Sequence, residues 1–111
     1  MNHEIKSLDF FRSQINKLDK KSRKIIYDKI QLIKQNPYRY KKIHSKLYSR
    51  VFRIRFNIRG KEVRLIYVVI EPNVILVCLL ERKGGYKDLE KDLVYVNKAY
   101  PSMYILNYHN V

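Results

Sequence analysis

Arginines interrupt two neighbouring stretches of this chain that otherwise alternate between apolar and polar residues. Arg53 and Arg55 lie within "RVFRIRFNI", and Arg64 lies within "KEVRLIYVVI" a few positions later. Successive side chains of a β-strand point to opposite faces, so Arg53 and Arg55 should share the face opposite the apolar residues. Guanidinium groups on a rigid sheet bind phosphates through forked donors and stabilise charge that develops during attack at phosphorus.

The spacing of the two strands predicts that these arginines meet. If Arg59 and Gly60 form the tip of a hairpin, Arg55 faces Arg64 directly across the two strands. Like charges in that position repel each other, and a sequence selected only for stability avoids the pair. Ordinary solvent-facing alternation is the simpler interpretation, and it explains any one arginine better than it explains their convergence.

A fourth arginine is expected at the same end of the sheet. A three-residue turn from Glu71 to Asn73 would set Arg82 opposite Glu62 and diagonally beside Arg64. This convergence depends on the register, because a slip of one residue moves every side chain of a strand to the other face. In RNA the 2′-hydroxyl adjacent to a phosphate can act as the nucleophile, so such a cluster is suited to RNA cleavage that requires no metal ion.

The histidines do not suggest a metal site. His3, His44 and His109 are far apart in the sequence, and no paired-carboxylate motif accompanies them. The one cysteine, Cys78, lies in an apolar run, which is typical of a buried thiol. We therefore expect no metal, no cofactor and no internal disulfide.

Charge is the strongest global feature of the composition. The 111 residues include 24 Lys and Arg against 10 Asp and Glu, a net charge of +14. A small soluble domain typically carries a net charge of about 2 to 8, and a larger excess attracts polyanions. Nucleic acid is the expected partner, with an anionic membrane or an acidic protein as alternatives. No apolar run is long enough to span a membrane, and the N-terminal residues lack a signal-peptide core, so we expect a cytoplasmic location.

Helical periodicity predicts two N-terminal helices. The first lies within "SLDFFRSQINKL", where Ser7 is the expected cap, and the second runs from about Asp19 to Gln35. Pro37 should end the second helix because it disfavours helical geometry in the residue before it. The very short break between the helices predicts a helical hairpin. A third helix is expected through "YKDLEKDLVYVNKAY", up to Pro101.

The chain between these helices should form a small antiparallel sheet. Its third strand, "VILVCLLER", is apolar on both sides and therefore central. The helical hairpin should cover one face of the sheet and the C-terminal helix the other. The first face is expected to hold Phe52, Ile54, Phe56, Val63, Leu65, Tyr67 and Val77, and the second Ile66, Val68, Ile70, Leu76 and Cys78. The prediction is an α+β fold in which residues 1–111 form a single domain.

The order of these elements and several motifs resemble the RelE/ParE toxin superfamily, and within it the RelE branch. The motifs are "NPY", "KLYSRVFRIRF", "VRLIYVV" and "ERKGGY". The resemblance covers about residues 5 to 95 and leaves a tail at 101–111. It implies a ribosome-dependent messenger-RNA endonuclease that contacts ribosomal RNA and is held inactive by a cognate antitoxin.

The resemblance also implies roles for individual residues. Arg53 and Arg55 match a basic pair that RelE carries as lysines, and they are expected to bind RNA. Arg64 and Arg82 match arginines that are expected to be catalytic. Tyr86 matches a tyrosine of the same site, which is expected to stack on a base.

The proton acceptor is left open, because arginine effectively cannot deprotonate. Glu62 and Glu81 are candidates, and His44 is a weaker one, although such groups are more often structural where so many arginines are available for ion pairing. Two other functions fit the scaffold or the charge: a ParE-like inhibitor of DNA gyrase, and a basic nucleic-acid-binding domain without catalysis. The arginines and Tyr86 together favour the RelE-like nuclease.

Overall fold

The computed structural model describes residues 3–81 together with residues 89, 91, 93, 94 and 96. Two helices and one five-stranded sheet form an α+β fold. In chain order the elements are β1 (Glu4–Ser7), α1 (Asp9–Asn16), α2 (Lys20–Gln35), a 3-10 turn (Pro37–Arg39), β2 (Lys41–Ile43), β3 (Val51–Ile58), β4 (Lys61–Ile70) and β5 (Asn73–Glu81). No helix within this described part of the chain is long and apolar enough to cross a membrane.

The two helices lie where the periodicity predicts them. Helix α2 begins at Lys20 and ends at Gln35, just before Pro37, which cannot continue it. Helix α1 begins at Asp9 rather than after a Ser7 cap, because Ser7 is the last residue of β1. The first turn of α1 is therefore placed by the end of a strand and not by a capping side chain.

The sheet is mixed, which corrects the expected antiparallel arrangement. Its strand order is β1-β5-β4-β3-β2. Strand β1 runs parallel to β5, while every other neighbouring pair is antiparallel. The two outer strands escape sequence prediction because they have only four and three residues and no clear apolar alternation. Strand β5 pairs on both edges along its first half, in keeping with its apolar sequence.

The β3–β4 hairpin has the predicted register. Arg55 pairs directly with Arg64. The two residues at the tip, Arg59 and Gly60, have φ angles of 52° and 78°, the left-handed conformation that a two-residue hairpin turn favours. Glycine adopts this conformation without steric penalty, so Gly60 fixes where the chain reverses. The arginines of both strands consequently share one face of the sheet.

The β4–β5 connection differs from the prediction in two ways, and their effects on the strand register cancel. Only Glu71 and Pro72 form the turn, because Ile70 already pairs with Asn73. A β-bulge at Val77 then adds one residue to β5. Beyond the bulge, the two strands return to the predicted register.

The two-residue turn places two side chains on faces other than those predicted. Val77 is buried on the second face rather than beneath the helices, and Leu76 is buried beneath the helices rather than on the second face. Both predictions are wrong for one reason, the assumed three-residue turn. The remaining face assignments are confirmed.

Each face of the sheet carries its own core. Apolar side chains of α1 and α2, including that of Ile26, pack with Leu65 on the first face. Leu89, Leu93 and Val96 are helical and buried on the second face. The rest of the expected C-terminal helix, like the tail, falls outside the described residues.

Candidate functional site

Two pairs of like charges lie side by side on the second face of the sheet. Arg55 pairs with Arg64 across β3 and β4, and Lys41 pairs with Arg53 across β2 and β3. Arg53 also pairs with Ile66, which belongs to the second core, and this identifies the face. We call Lys41, Arg53, Arg55 and Arg64 the basic face.

Lys41 is the member of the basic face that the alternation of the strands does not identify. The run "RYKK" marks its segment as basic, but the three residues of β2 give no register against β3. Like charges directly opposite each other destabilise a sheet, and here two such pairs are adjacent. The arrangement therefore indicates a requirement other than stability.

A carboxylate lies among the arginines. Glu62 Oε1 is 3.4 Å from Arg55 Nη1, and Glu62 Oε2 is 3.8 Å from Arg64 Nη2. The single negative charge offsets part of the repulsion, and the basic face keeps a net positive charge. The Arg64 side chain is 13% exposed against 54% for Arg55, so the neighbouring strands restrict Arg64 more.

Of the three candidate proton acceptors, Glu62 alone lies with the arginines. Glu81 pairs with Val63, which is buried beneath the helices, so its side chain lies on the opposite face of the sheet. His44 is exposed just beyond the end of β2, in a surface pocket that it shares with Tyr48. No arginine of the described part of the chain lines that pocket.

Arg82 and Tyr86 lie outside the described residues. Strand β5 is described up to Glu81, and its pairing with Val63 has the predicted register. The pairing of Arg82 with Glu62 and the roles of Arg82 and Tyr86 therefore stay predictions.

Aromatic side chains support the basic face from the other side of the sheet. Phe52 and Tyr67 are cross-strand partners whose rings stack with centroids 5.6 Å apart. Tyr67 donates a hydrogen bond of 2.5 Å to the carbonyl oxygen of Pro37. Burial raises the pKa of Tyr67, so the hydroxyl stays protonated and keeps this bond. The ring stack joins β3 to β4, and the hydrogen bond joins β4 to the 3-10 turn.

A second polar cluster lies at the opposite end of the sheet. Glu71 Oε1 is 2.8 Å from His3 Nε2 and also accepts a hydrogen bond from the hydroxyl of Tyr38. The same hydroxyl accepts a hydrogen bond of 3.4 Å from Arg50 Nη1. Burial opposes ionisation of Glu71, but the hydrogen bonds from Tyr38 and His3 outweigh it and lower the pKa of the carboxyl. No sequence pattern reveals this cluster, because His3 and Glu71 are 68 positions apart. It ties the N-terminal segment to the β4–β5 turn.

The described residues offer no evident metal site. No three His, Cys, Asp or Glu side chains among them lie close enough together to hold a metal ion. Cys78 is buried, as its apolar surroundings predict.

Comparison with known proteins identifies the fold. No protein-family model matches the chain, and no curated protein sequence matches it. A mutant of the E. coli toxin RelE, with two arginines replaced by alanine and solved in the free state, matches with a TM-score of 0.64 over 77% of this chain and 88% of that chain. The chain has a RelE-like fold. Sequence identity is 17%, so the match establishes the fold alone.

The RelE-like fold agrees with the resemblance seen in the sequence. The motifs "KLYSRVFRIRF" and "VRLIYVV" lie mainly on β3 and β4, the strands that carry Arg53, Arg55 and Arg64. The basic face occupies the side of the sheet that α1 and α2 leave uncovered. The chain therefore combines a RelE-like fold with a cationic sheet surface.

Proposed function

We propose that this chain is the toxin of a type II toxin–antitoxin pair and that it cleaves messenger RNA on the ribosome. One observation carries the proposal: on a RelE-like fold, Arg55 and Arg64 are direct cross-strand partners. Selection for stability alone separates such charges, whereas a bound phosphate neutralises them. The net charge of +14 supports a polyanionic substrate.

The proposed reaction is attack by a ribose 2′-hydroxyl on the adjacent phosphorus. The bond between the 2′-oxygen and phosphorus forms, and the bond between phosphorus and the 5′-oxygen of the next nucleotide breaks. The products are a 2′,3′-cyclic phosphate and a 5′-hydroxyl. One proton leaves the nucleophile and one reaches the leaving oxygen, and this scheme uses no metal ion.

The arginines bind the phosphates and stabilise the charge that develops on one of them. Arg53 and Arg55 bind the RNA backbone through forked hydrogen bonds. Arg64, which is largely buried, acts with Arg82 on the scissile phosphate and stabilises the charge of the transition state. Tyr86 stacks on a neighbouring base.

Glu62 is the proton acceptor that the geometry favours. Its two carboxylate oxygens reach Arg55 and Arg64, so it lies beside the phosphate that these arginines would hold. A phosphate that takes up the guanidinium donors frees the carboxylate to accept the proton of the 2′-hydroxyl. Glu81 points to the other face of the sheet and serves as a control in the experiments below.

A cognate antitoxin is part of the proposal. It would keep RNA from the basic face, which lies on the side of the sheet that α1 and α2 leave uncovered. Contacts with ribosomal RNA around the messenger RNA and a cytoplasmic location follow from action on the ribosome. In this proposal residues 1–111 form one domain, with its toxin core at about 5–95, a helical hairpin on one face and a C-terminal helix on the other.

Ribosome toeprinting with the purified protein tests this function. The wild type should cut messenger RNA within the codon in the ribosomal A site, and Arg64→Ala should cut it far more slowly. Equally fast cleavage of free RNA would reject the dependence on ribosomes. If ribosomes from a cognate source show no cleavage, the nuclease proposal fails, and inhibition of DNA gyrase becomes the function to assay.

A further inference from the structure

A second basic surface continues from the basic face around the edge of the sheet. A groove of about 440 Å³ lies where α2 passes the edge formed by β2 and β3. Its lining includes five cations: Lys29 of α2, Arg39 of the 3-10 turn, Lys41 of β2, and Arg53 and Arg55 of β3. We call it the edge groove. It shares three residues with the basic face and adds Lys29 and Arg39.

Among the described residues, no Asp or Glu lines the edge groove. Within the described residues, four of its cations are beyond salt-bridge distance of every Asp and Glu: Lys29, Arg39, Lys41 and Arg53. Other surface cations do have such partners, as Lys24 has Asp28. Uncompensated positive charge in a concave surface repels itself and attracts polyanions.

The outer edge of β3 forms part of the groove wall. Strand β2 pairs only with Val51–Arg53, so from Ile54 onward this edge has no partner strand among the described residues. Ile54 and Arg55 line the groove at that point. Backbone N–H groups at an unpaired edge are further donors for phosphate oxygens. The groove therefore combines charged side chains with available main-chain donors.

We propose that the edge groove binds a second segment of RNA sugar–phosphate backbone, recognised by charge and not by sequence. The choice of ligand rests on the proposed function, because one RNA would run from the basic face into the groove. Tyr40, half-buried in the lining, presents an aromatic ring to a ribose or base. An acidic protein segment is the other chemical fit, and the residues shared with the basic face favour RNA.

Two double variants with the same loss of charge test this proposal. Lys29→Ala with Arg39→Ala removes the two cations that belong to the groove alone. Lys20→Ala with Lys21→Ala, at the opposite end of α2, is the matched control. A labelled RNA hairpin of arbitrary sequence is the probe, and its binding is followed by fluorescence anisotropy across a range of salt concentrations. Thermal unfolding checks the fold, and the corresponding Gln variants replace any Ala variant that unfolds.

The groove variant should bind the hairpin on the order of tenfold more weakly at low salt. Its plot of log affinity against log salt should be shallower by about 1 to 2, since each lost phosphate contact removes nearly one unit of slope. The control should stay close to wild type. Equal losses in both variants, or a groove variant that binds like wild type, would overturn the proposal. So would a groove variant that loses affinity for polyglutamate and not for RNA.

The hairpin assay separates this inference from the proposed function, because it measures binding and not cleavage. Suppose the wild type fails to cut messenger RNA on ribosomes while the groove variant still binds the hairpin more weakly than the control. That result would reject the nuclease proposal and support RNA binding by the edge groove. If the wild type cuts messenger RNA and the groove variant binds the hairpin like the wild type, the result rejects RNA binding by the edge groove and supports the nuclease proposal.

Discussion

Arg55 and Arg64 face each other across β3 and β4, within the longest uninterrupted antiparallel pairing of the sheet. Glu62 reaches both guanidinium groups from a neighbouring position on β4. A repulsive pair is thus built into a rigid part of the fold and only partly offset. The pair lowers the stability of the fold at the place where a phosphate would be bound. The free energy of unfolding and the affinity for RNA can be measured separately.

The repulsion itself should be measurable. A double-mutant cycle with Arg55→Ala and Arg64→Ala, followed by urea unfolding, should give an unfavourable coupling of about 0.2 to 1 kcal/mol. The coupling should shrink as salt is added, because Arg55 is exposed. A cycle that combines Arg55→Ala with Arg12→Ala, on α1, should give no coupling. A coupling of zero for the first cycle would mean that Glu62 neutralises the pair completely, and a favourable coupling would contradict the repulsion.

Arg64→Ala should slow cleavage far more than it weakens binding to ribosomes, because charge stabilisation in the transition state affects turnover alone. Loss of one such donor typically raises the barrier by about 3 kcal/mol, on the order of 100-fold in rate. Arg82→Ala should behave in the same way. Single-turnover cleavage at saturating protein separates rate from affinity, and Arg12→Ala is the control. Equal losses of rate and affinity would assign Arg64 to binding.

Tyr86→Phe distinguishes stacking from proton transfer. The substitution keeps the aromatic face and removes only the hydroxyl, so a stacking residue predicts near-normal cleavage. Tyr86→Ala should weaken RNA binding and slow cleavage. Both variants are compared with the wild type in single-turnover cleavage on ribosomes. A large loss in Tyr86→Phe would give the hydroxyl a part in proton transfer, and unchanged behaviour of both variants would remove Tyr86 from the site.

Glu62→Gln should change rate and affinity in opposite directions. The variant keeps the shape of the side chain but cannot accept the proton, and general-base catalysis contributes about 100-fold or more to a rate. RNA affinity should rise, because the basic face loses the negative charge of Glu62. Glu81→Gln, on the opposite face, should leave both quantities close to wild type. Normal cleavage with tighter binding would make Glu62 an ion-pairing residue only.

Acid should remove the contribution of Glu71 to stability. Burial opposes its ionisation, but hydrogen bonds from Tyr38 and His3 outweigh this effect and keep the pKa of the folded carboxyl below its ordinary value of 4.5. A lowered pKa stabilises the fold above pH 4.5, and this contribution disappears as the pH falls through the folded pKa. In urea unfolding, Glu71→Gln should therefore be less stable than wild type at neutral pH and equally stable in acid.

Glu4→Gln, at a more exposed carboxylate of β1, is the control for this comparison and should change stability little at either pH. If the Glu71→Gln difference persisted in strong acid, it would arise from the shape of the side chain and not from its charge.

In this chain, only the long strands have an alternation of apolar and polar residues from which strand pairing can be predicted. Strands β3 and β4 are eight and ten residues long and flank a glycine, so their register and the shared face of Arg55 and Arg64 follow from the sequence. Strand β2 has three residues, and a basic run does not specify its partner, so the position of Lys41 beside Arg53 depends on the fold. The predicted register already places Glu62 and Glu81 on opposite faces of the sheet, and the structure has the same pairing of Glu81 with Val63.

The β4–β5 pair shows a different limit, because turn length and bulge position are each poorly specified by local sequence. The alternation in "VILVCLLE" permits either a two-residue or a three-residue turn. The structure combines the shorter turn with an extra residue in the strand, so the pairing of Val63 with Glu81 is predicted correctly although the turn is not.

Val77 has no partner residue in β4, so its deletion would leave the pairing of β4 with β5 unchanged. On either side of it, Tyr67 would still oppose Leu76 and Ile66 would still oppose Cys78, and no side chain of β5 would exchange faces. What the inserted residue supplies is a local increase in right-handed twist. Pairing and curvature are therefore specified by different residues: strand pairing determines which groups surround each arginine, and one inserted valine increases the local twist of the sheet.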